Sequence, residues 1–128
     1  MDQQLRVLLI DDEEEFVSTL VERLELRRFE CSGVTNGVEA VELIREKPFD
    51  VVVLDVKMPG ASGFEVFHEL RRLDPNLPIV LLTGHGSKED AEEGKRAGAY
   101  DYLMKPIDIE SLIAVMRGAV GREADGGR

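Results

Sequence analysis

Five polar residues stand directly after short apolar runs, and their types suggest chemistry. Asp11 and Asp12 close RVLLIDD, Asp55 closes VVVLD, Thr83 closes IVLLT, and Lys105 follows YDYLM. Each alone has an ordinary reading: an Asp after a strand caps a turn or helix, a Thr caps, a Lys solvates. Together they ask for more. Three ionised carboxylates at one place repel unless a pKa rises or a cation binds. With no His nearby in sequence and no thiolate, a hard cation with oxygen ligands is the match: Mg²⁺, with Mn²⁺ as substitute and Zn²⁺ poorly suited. A divalent ion, an ammonium and a hydroxyl around a carboxylate can hold the oxygens of a transferring phosphoryl group, with one Asp as nucleophile.

These residues meet only if the chain's elements bring them together. Aliphatic and β-branched runs alternate five times with stretches of helical period. The pattern predicts strands at 6–11, 30–34, 51–55, 79–83 and 101–104. It predicts helices at 14–28, 37–47, 63–73, 88–97 and 108 to about 122. Phe16, Leu20 and Leu24 share one face of the first helix. Turn residues Asn36-Gly37, Pro59-Gly60, 74–78 and 97–99 fall between the elements. Such alternation implies an α/β fold with a parallel sheet between helical layers. VLLI, VVVL and IVLL read as central strands buried on both faces, whereas ECSGV and DYLM suit edges. That pattern fits a flavodoxin-like three-layer sandwich of strand order 2-1-3-4-5 better than a Rossmann order, which places the third strand at an edge. Ligands in such sheets bind at the carboxyl ends of the strands where the winding direction switches, here between the first and third strands. Asp11, Asp12 and Asp55 fall there.

The five acids from Asp11 to Glu15 divide on this view. Glu13, Glu14 and Glu15 suit a solvated helix start, where the dipole favours negative charge. Asp11 and Asp12 belong to the crevice. Composition agrees with an acidic site: the formal net charge of the 128 residues is -10, which disfavours direct nucleic-acid binding. The single Cys31 excludes an internal disulfide and reads as a strand packing residue. No targeting or membrane-spanning segment is apparent, so a cytoplasmic protein is expected.

The pieces LLIDDEEEF, VVVLDVKMPGASG, IVLLTG and AGAYDYLMKPID resemble, in order and approximate spacing, the receiver domain of a two-component response regulator. The resemblance covers nearly the whole chain. It implies a phosphoacceptor at Asp55, with Asp12 and, partly through water, Asp11 holding Mg²⁺. It further implies a backbone-carbonyl ligand from Lys57, phosphoryl contacts from Thr83 and Lys105, a switch aromatic at Tyr102, and a cis Lys105-Pro106 bond. Lys57 and His85 occupy positions that tune phosphoryl lifetime in that family. The implied partners are a sensor histidine kinase or phosphotransfer protein, with a receiver homodimer as a further option and no membrane contact. Output is implied to pass through the face formed by the fourth helix, fifth strand and fifth helix. No turnover enzyme is implied beyond self-catalysed phosphotransfer and dephosphorylation.

A haloacid-dehalogenase-like phosphatase is the alternative that shares a nucleophilic Asp, Mg²⁺, a hydroxyl and a Lys. Its second acid, two residues after the nucleophile, is here Lys57. Acids replace the Gly-rich loop of a P-loop hydrolase and the phosphate site of a flavodoxin. Residues 1–120 are read as the receiver domain, and the polar, Gly-rich 121–128 as a free tail or a linker stub.

Overall fold

The computed structural model describes residues 4–57, 63–84 and 88–126. The Pro59-Gly60 turn and His85 lie outside the described residues. Five strands, β1 (Arg6–Ile10), β2 (Glu30–Val34), β3 (Val51–Asp55), β4 (Ile79–Thr83) and β5 (Asp101–Met104), form one parallel sheet of order 2-1-3-4-5. Helices α1 (Glu14–Leu26), α2 (Gly37–Glu46), α3 (Gly63–Leu73), α4 (Lys88–Arg96) and α5 (Ile109–Gly126) cover its two faces.

Strand alternation sorts the core into two layers. Val7, Leu9, Val51, Val53, Val80 and Leu82 pack against α1 and α5. Their neighbours Leu8, Ile10, Val52, Leu54, Ile79 and Leu81 pack with residues of α2 and α3 on the other face. All twelve have zero exposure, and each side chain so buried contributes about 1.5–3 kcal/mol. The three central strands therefore fix the positions of whatever follows them. On α1 the buried residues are Val17, Leu20 and Leu24, with Phe16 only half-buried. Cys31 is buried in β2, where desolvation pushes its thiol up to about 12, leaving an inert packing residue.

The bounds of α1, α5 and β1 differ from the sequence reading for physical reasons. Helix α1 stops at Leu26, because Arg28 adopts φ 70° while the Phe29 amide bonds the Leu24 carbonyl at 3.1 Å and the Arg28 amide bonds that of Glu25 at 3.0 Å. This is a Schellman ending with a non-glycine residue at its left-handed position. Helix α5 begins under an Asp108 cap, whose Oδ2 accepts from the Ser111 amide at 3.1 Å, and continues to Gly126. Helical backbone thus extends into the segment read from the sequence as a tail. Strand β1 ends at Ile10, although the Asp11 amide still reaches the Val34 carbonyl at 3.2 Å.

Helix α4 differs in kind. Its composition reads as weak, with small apolar residues and an internal Gly94. In the fold, Gly94 and Ala91 are buried, and a Cβ at Gly94 would overlap the Leu81 side chain. The helix ends in a Schellman motif, with the Ala99 amide on the Gly94 carbonyl at 2.9 Å and Gly98 at φ 113°. Gly94 permits close helix-to-strand contact.

Candidate functional site

Each candidate side chain is held by the strand it ends. Asp11 follows β1 and is fully buried, and its Oδ1 accepts from the Glu13 amide at 2.9 Å, turning the chain into α1. Asp55 ends β3 in register with Leu82 and is 5% exposed. Its Oδ1 accepts from the Lys57 amide at 3.1 Å, a local turn of the same form. Asp12 is exposed at the mouth. Ligand oxygens of Asp11, Asp12 and Asp55 lie within 4.8 Å of one another. Lys57 is exposed.

From the other side come Thr83 and Lys105. Thr83 ends β4 with zero exposure, and its hydroxyl has no hydrogen-bond partner among the described residues. Leaving a buried hydroxyl unpaired costs about 1–3 kcal/mol, which suits a site shaped for an oxygen-bearing ligand. The Lys105 amide bonds the Thr83 carbonyl at 2.8 Å, so the two residues share one strand-end frame. The Lys105-Pro106 peptide is cis. Lys105 Nζ lies 2.7 Å from Asp11 Oδ2 and 3.8 Å from Asp55 Oδ2. The Asp11 contact is an ion pair whose alignment falls short of a directed hydrogen bond.

Electrostatics follow from this crowding. Burial pushes the Asp55 carboxyl up to about 6, with Asp11 and Asp12 adding to the rise and the Lys57 amide and Lys105 opposing it. For Lys105, burial favours the neutral amine, but its contacts with Asp11 and Glu13 outweigh that and raise its pKa. An all-oxygen donor set, one member of it crowded towards neutrality, fits a hard divalent cation.

One partner was missed by the sequence reading. Glu13 does stand exposed at the start of α1, as its N-cap residue, but its Oε1 also pairs with Lys105 Nζ at 3.0 Å. The ammonium also sits 4.5 Å from the centre of the Phe16 ring. Gly63, at the start of α3, is a second omission: a Cβ there would overlap the Val56 backbone, and its amide bonds the Val56 carbonyl at 3.1 Å. It lets α3 begin against the chain leaving Asp55. Tyr102 is half-buried on β5 beside Leu81 and packs on the α2/α3 side of the sheet.

Residues 7–117 match the family described as response regulator receiver domain. The chain belongs to that family. Transcriptional regulatory protein YkoG of Bacillus subtilis is 38% identical over 114 residues, covering 89% of this receiver domain and 50% of that protein. Response regulator MprA of a Mycobacterium species is 39% identical over 118 residues, covering 92% of this chain and 51% of that one. The receiver domain thus spans about half the length of these curated relatives. A solved receiver domain from Clostridium thermocellum superposes with a TM-score of 0.89 at 30% identity, covering 94% of this chain and 97% of that one. The flavodoxin-like order and the phosphoacceptor role in two-component signalling accord with this membership, and nothing supports the phosphatase alternative. Among the described residues no helix is long and apolar enough to cross a membrane.

Proposed function

We propose that Asp55 is the phosphoacceptor, receiving its phosphoryl group from a phosphohistidine on a sensor kinase or phosphotransfer protein. The observation that carries this is the convergence at one sheet end of a buried carboxylate, an unpaired buried hydroxyl and an ammonium. An Asp55 oxygen attacks phosphorus in line, the P–N bond to imidazole breaks, and the ring keeps the electron pair and takes a proton. A carboxyl with pKa about 6 is mostly ionised at neutral pH and so able to attack. Asp11, Asp12, Asp55 and the Lys57 carbonyl would hold Mg²⁺, which when bound neutralises charge on the phosphoryl oxygens. Thr83 donates its hydroxyl and Lys105 its ammonium to those oxygens. The domain then acts as a switch, with no turnover of an external substrate beyond transfer and loss of its own phosphoryl group.

Engagement of Thr83 is proposed to reach Tyr102 through their adjacent strands and to repack the face of α4, β5 and α5, where an output partner or second receiver binds. Transfer from an ATP-fed kinase would support a cytoplasmic location. Incubation with Mg²⁺ and a small phosphodonor, followed by mass spectrometry, tests the acceptor. One phosphoryl group on Asp55, lost in Asp55→Asn, is expected; a stable adduct on Thr83, or undiminished labelling of Asp55→Asn, would overturn it. NMR with beryllofluoride tests the switch, and unmoved resonances of α4 and Tyr102 would refute it.

A further inference from the structure

Lys105 is shared among carboxylates with different claims on it. Its Nζ is 2.7 Å from Asp11, 3.0 Å from Glu13 and 3.8 Å from Asp55. Asp11 is fully buried and belongs to the carboxylate triad that fits a divalent cation. The Glu13 side chain is 65% exposed and lies outside that triad. The ammonium therefore bridges an inner carboxylate that a cation would claim and an outer one that it would not. An ammonium and a divalent cation on the same carboxylate repel each other, so the two compete for Asp11.

We propose that Glu13 is a positioning residue, a berth that retains the Lys105 ammonium when a divalent cation takes Asp11. This rests on the metal reading above. The ammonium lies against the triad at Asp11 and Asp55, partly neutralising its charge. Binding of Mg²⁺ moves it off Asp11 towards the exposed side, where Glu13 and the Phe16 ring receive it. Displacement without Glu13 would leave the ammonium with Asp11 as its nearest counterion, in direct competition with the metal. The berth also keeps Lys105 beside the cleft, available to phosphoryl oxygens, instead of releasing it to solvent.

Two effects of removing Glu13 must be separated. Loss of its charge weakens attraction of Mg²⁺ whatever Lys105 does; loss of the berth matters only when Lys105 is present. A double-mutant cycle on Mg²⁺ affinity, followed by NMR titration of the unphosphorylated protein, isolates the second. Glu13→Gln is expected to weaken binding about three- to tenfold in the parent, and less than about twofold in a Lys105→Met background. Should Lys105→Met fail to fold by circular dichroism, Lys105→Gln supplies the background. An equal loss in both backgrounds, or tighter binding by Glu13→Gln in the parent, overturns the berth while leaving the metal site intact. A parent chain that takes up no Mg²⁺ overturns the metal reading and the berth together.

Discussion

Arg6 and Asp50 tie the start of β1 to the residue before β3 through four hydrogen bonds: the Arg6 amide and Nε reach Asp50 Oδ2 at 2.8 and 3.1 Å, Nη2 reaches Oδ1 at 2.9 Å, and the Asp50 amide donates to the Arg6 carbonyl at 2.8 Å. The pairing lies at the sheet end opposite the acidic cleft, so it serves register and not chemistry. The bond to Arg6 lowers the Asp50 pKa, against the opposing effect of partial burial. A lowered folded pKa stabilises above the unfolded value near 3.8 and ceases to do so as pH falls through the folded one. Asp50→Ala should therefore lower the urea midpoint at pH 7, with the deficit closing in acid. A deficit that persists unchanged at pH 2 would assign the effect to packing.

Asp55 has the opposite sign. A carboxyl raised from 3.8 to about 6 stabilises the fold fully below the unfolded value, and that contribution disappears as pH rises through about 6. In chelator at pH 7.5, Asp55→Asn should be more stable than the parent by about 1–3 kcal/mol. Saturating Mg²⁺ should narrow the gap, because the parent binds it better and gains by mass action. Urea titrations with and without metal measure both, and a less stable Asp55→Asn in chelator would contradict the crowding of the triad.

Arg28 occupies a left-handed conformation at φ 70°, which glycine adopts without a Cβ penalty. Arg28→Gly should stabilise the protein by about 0.5–1 kcal/mol in thermal or urea unfolding. No change, or a loss, would show that the Arg28 side chain has a structural role of its own.

Helix propensity and packing disagree at Gly94. Propensity alone favours Ala by about 1 kcal/mol, but the added Cβ would overlap Leu81, itself fully buried. Overpacking against a side chain with nowhere to move should dominate, making Gly94→Ala destabilising by about 1–3 kcal/mol. A Leu81→Ala background should relieve the clash; if Gly94→Ala is equally harmful there, the contact is not its cause.

These cases mark where sequence reading succeeds and stops. The strand order was legible because VLLI, VVVL and IVLL are apolar without alternation, as strands covered on both faces must be. The cleft residues were legible because a parallel sheet delivers every strand end to one side, bringing Asp11, Asp55, Thr83 and Lys105 together wherever they lie in sequence. At Gly94, composition records the missing side chain and not the Leu81 that fills its place. Glu13 was missed for another reason: its partner Lys105 is 92 residues away, and in one dimension an acid before a helix has a sufficient local explanation. The left-handed turn at Arg28 carried no signal, since a glycine would ordinarily mark it.

The exposed acids Asp12 and Glu13 stand at the acidic cleft, and Glu14 and Glu15 follow in the first turn of α1, in a chain of net charge -10. Their field acts before anything is bound, and it acts with opposite sign on the two reactants. Divalent cations are drawn in at rates that fall as ionic strength rises, while small anionic phosphodonors are turned away by the same potential. On the function proposed above, a cation in place would remove part of that barrier, so that encounter itself would favour an order, metal first and phosphodonor second. On the same reading, a protein donor presenting basic residues around its phosphohistidine would escape the penalty that a free phosphate ester or anhydride meets, so that discrimination against small phosphodonors would begin at the level of diffusion.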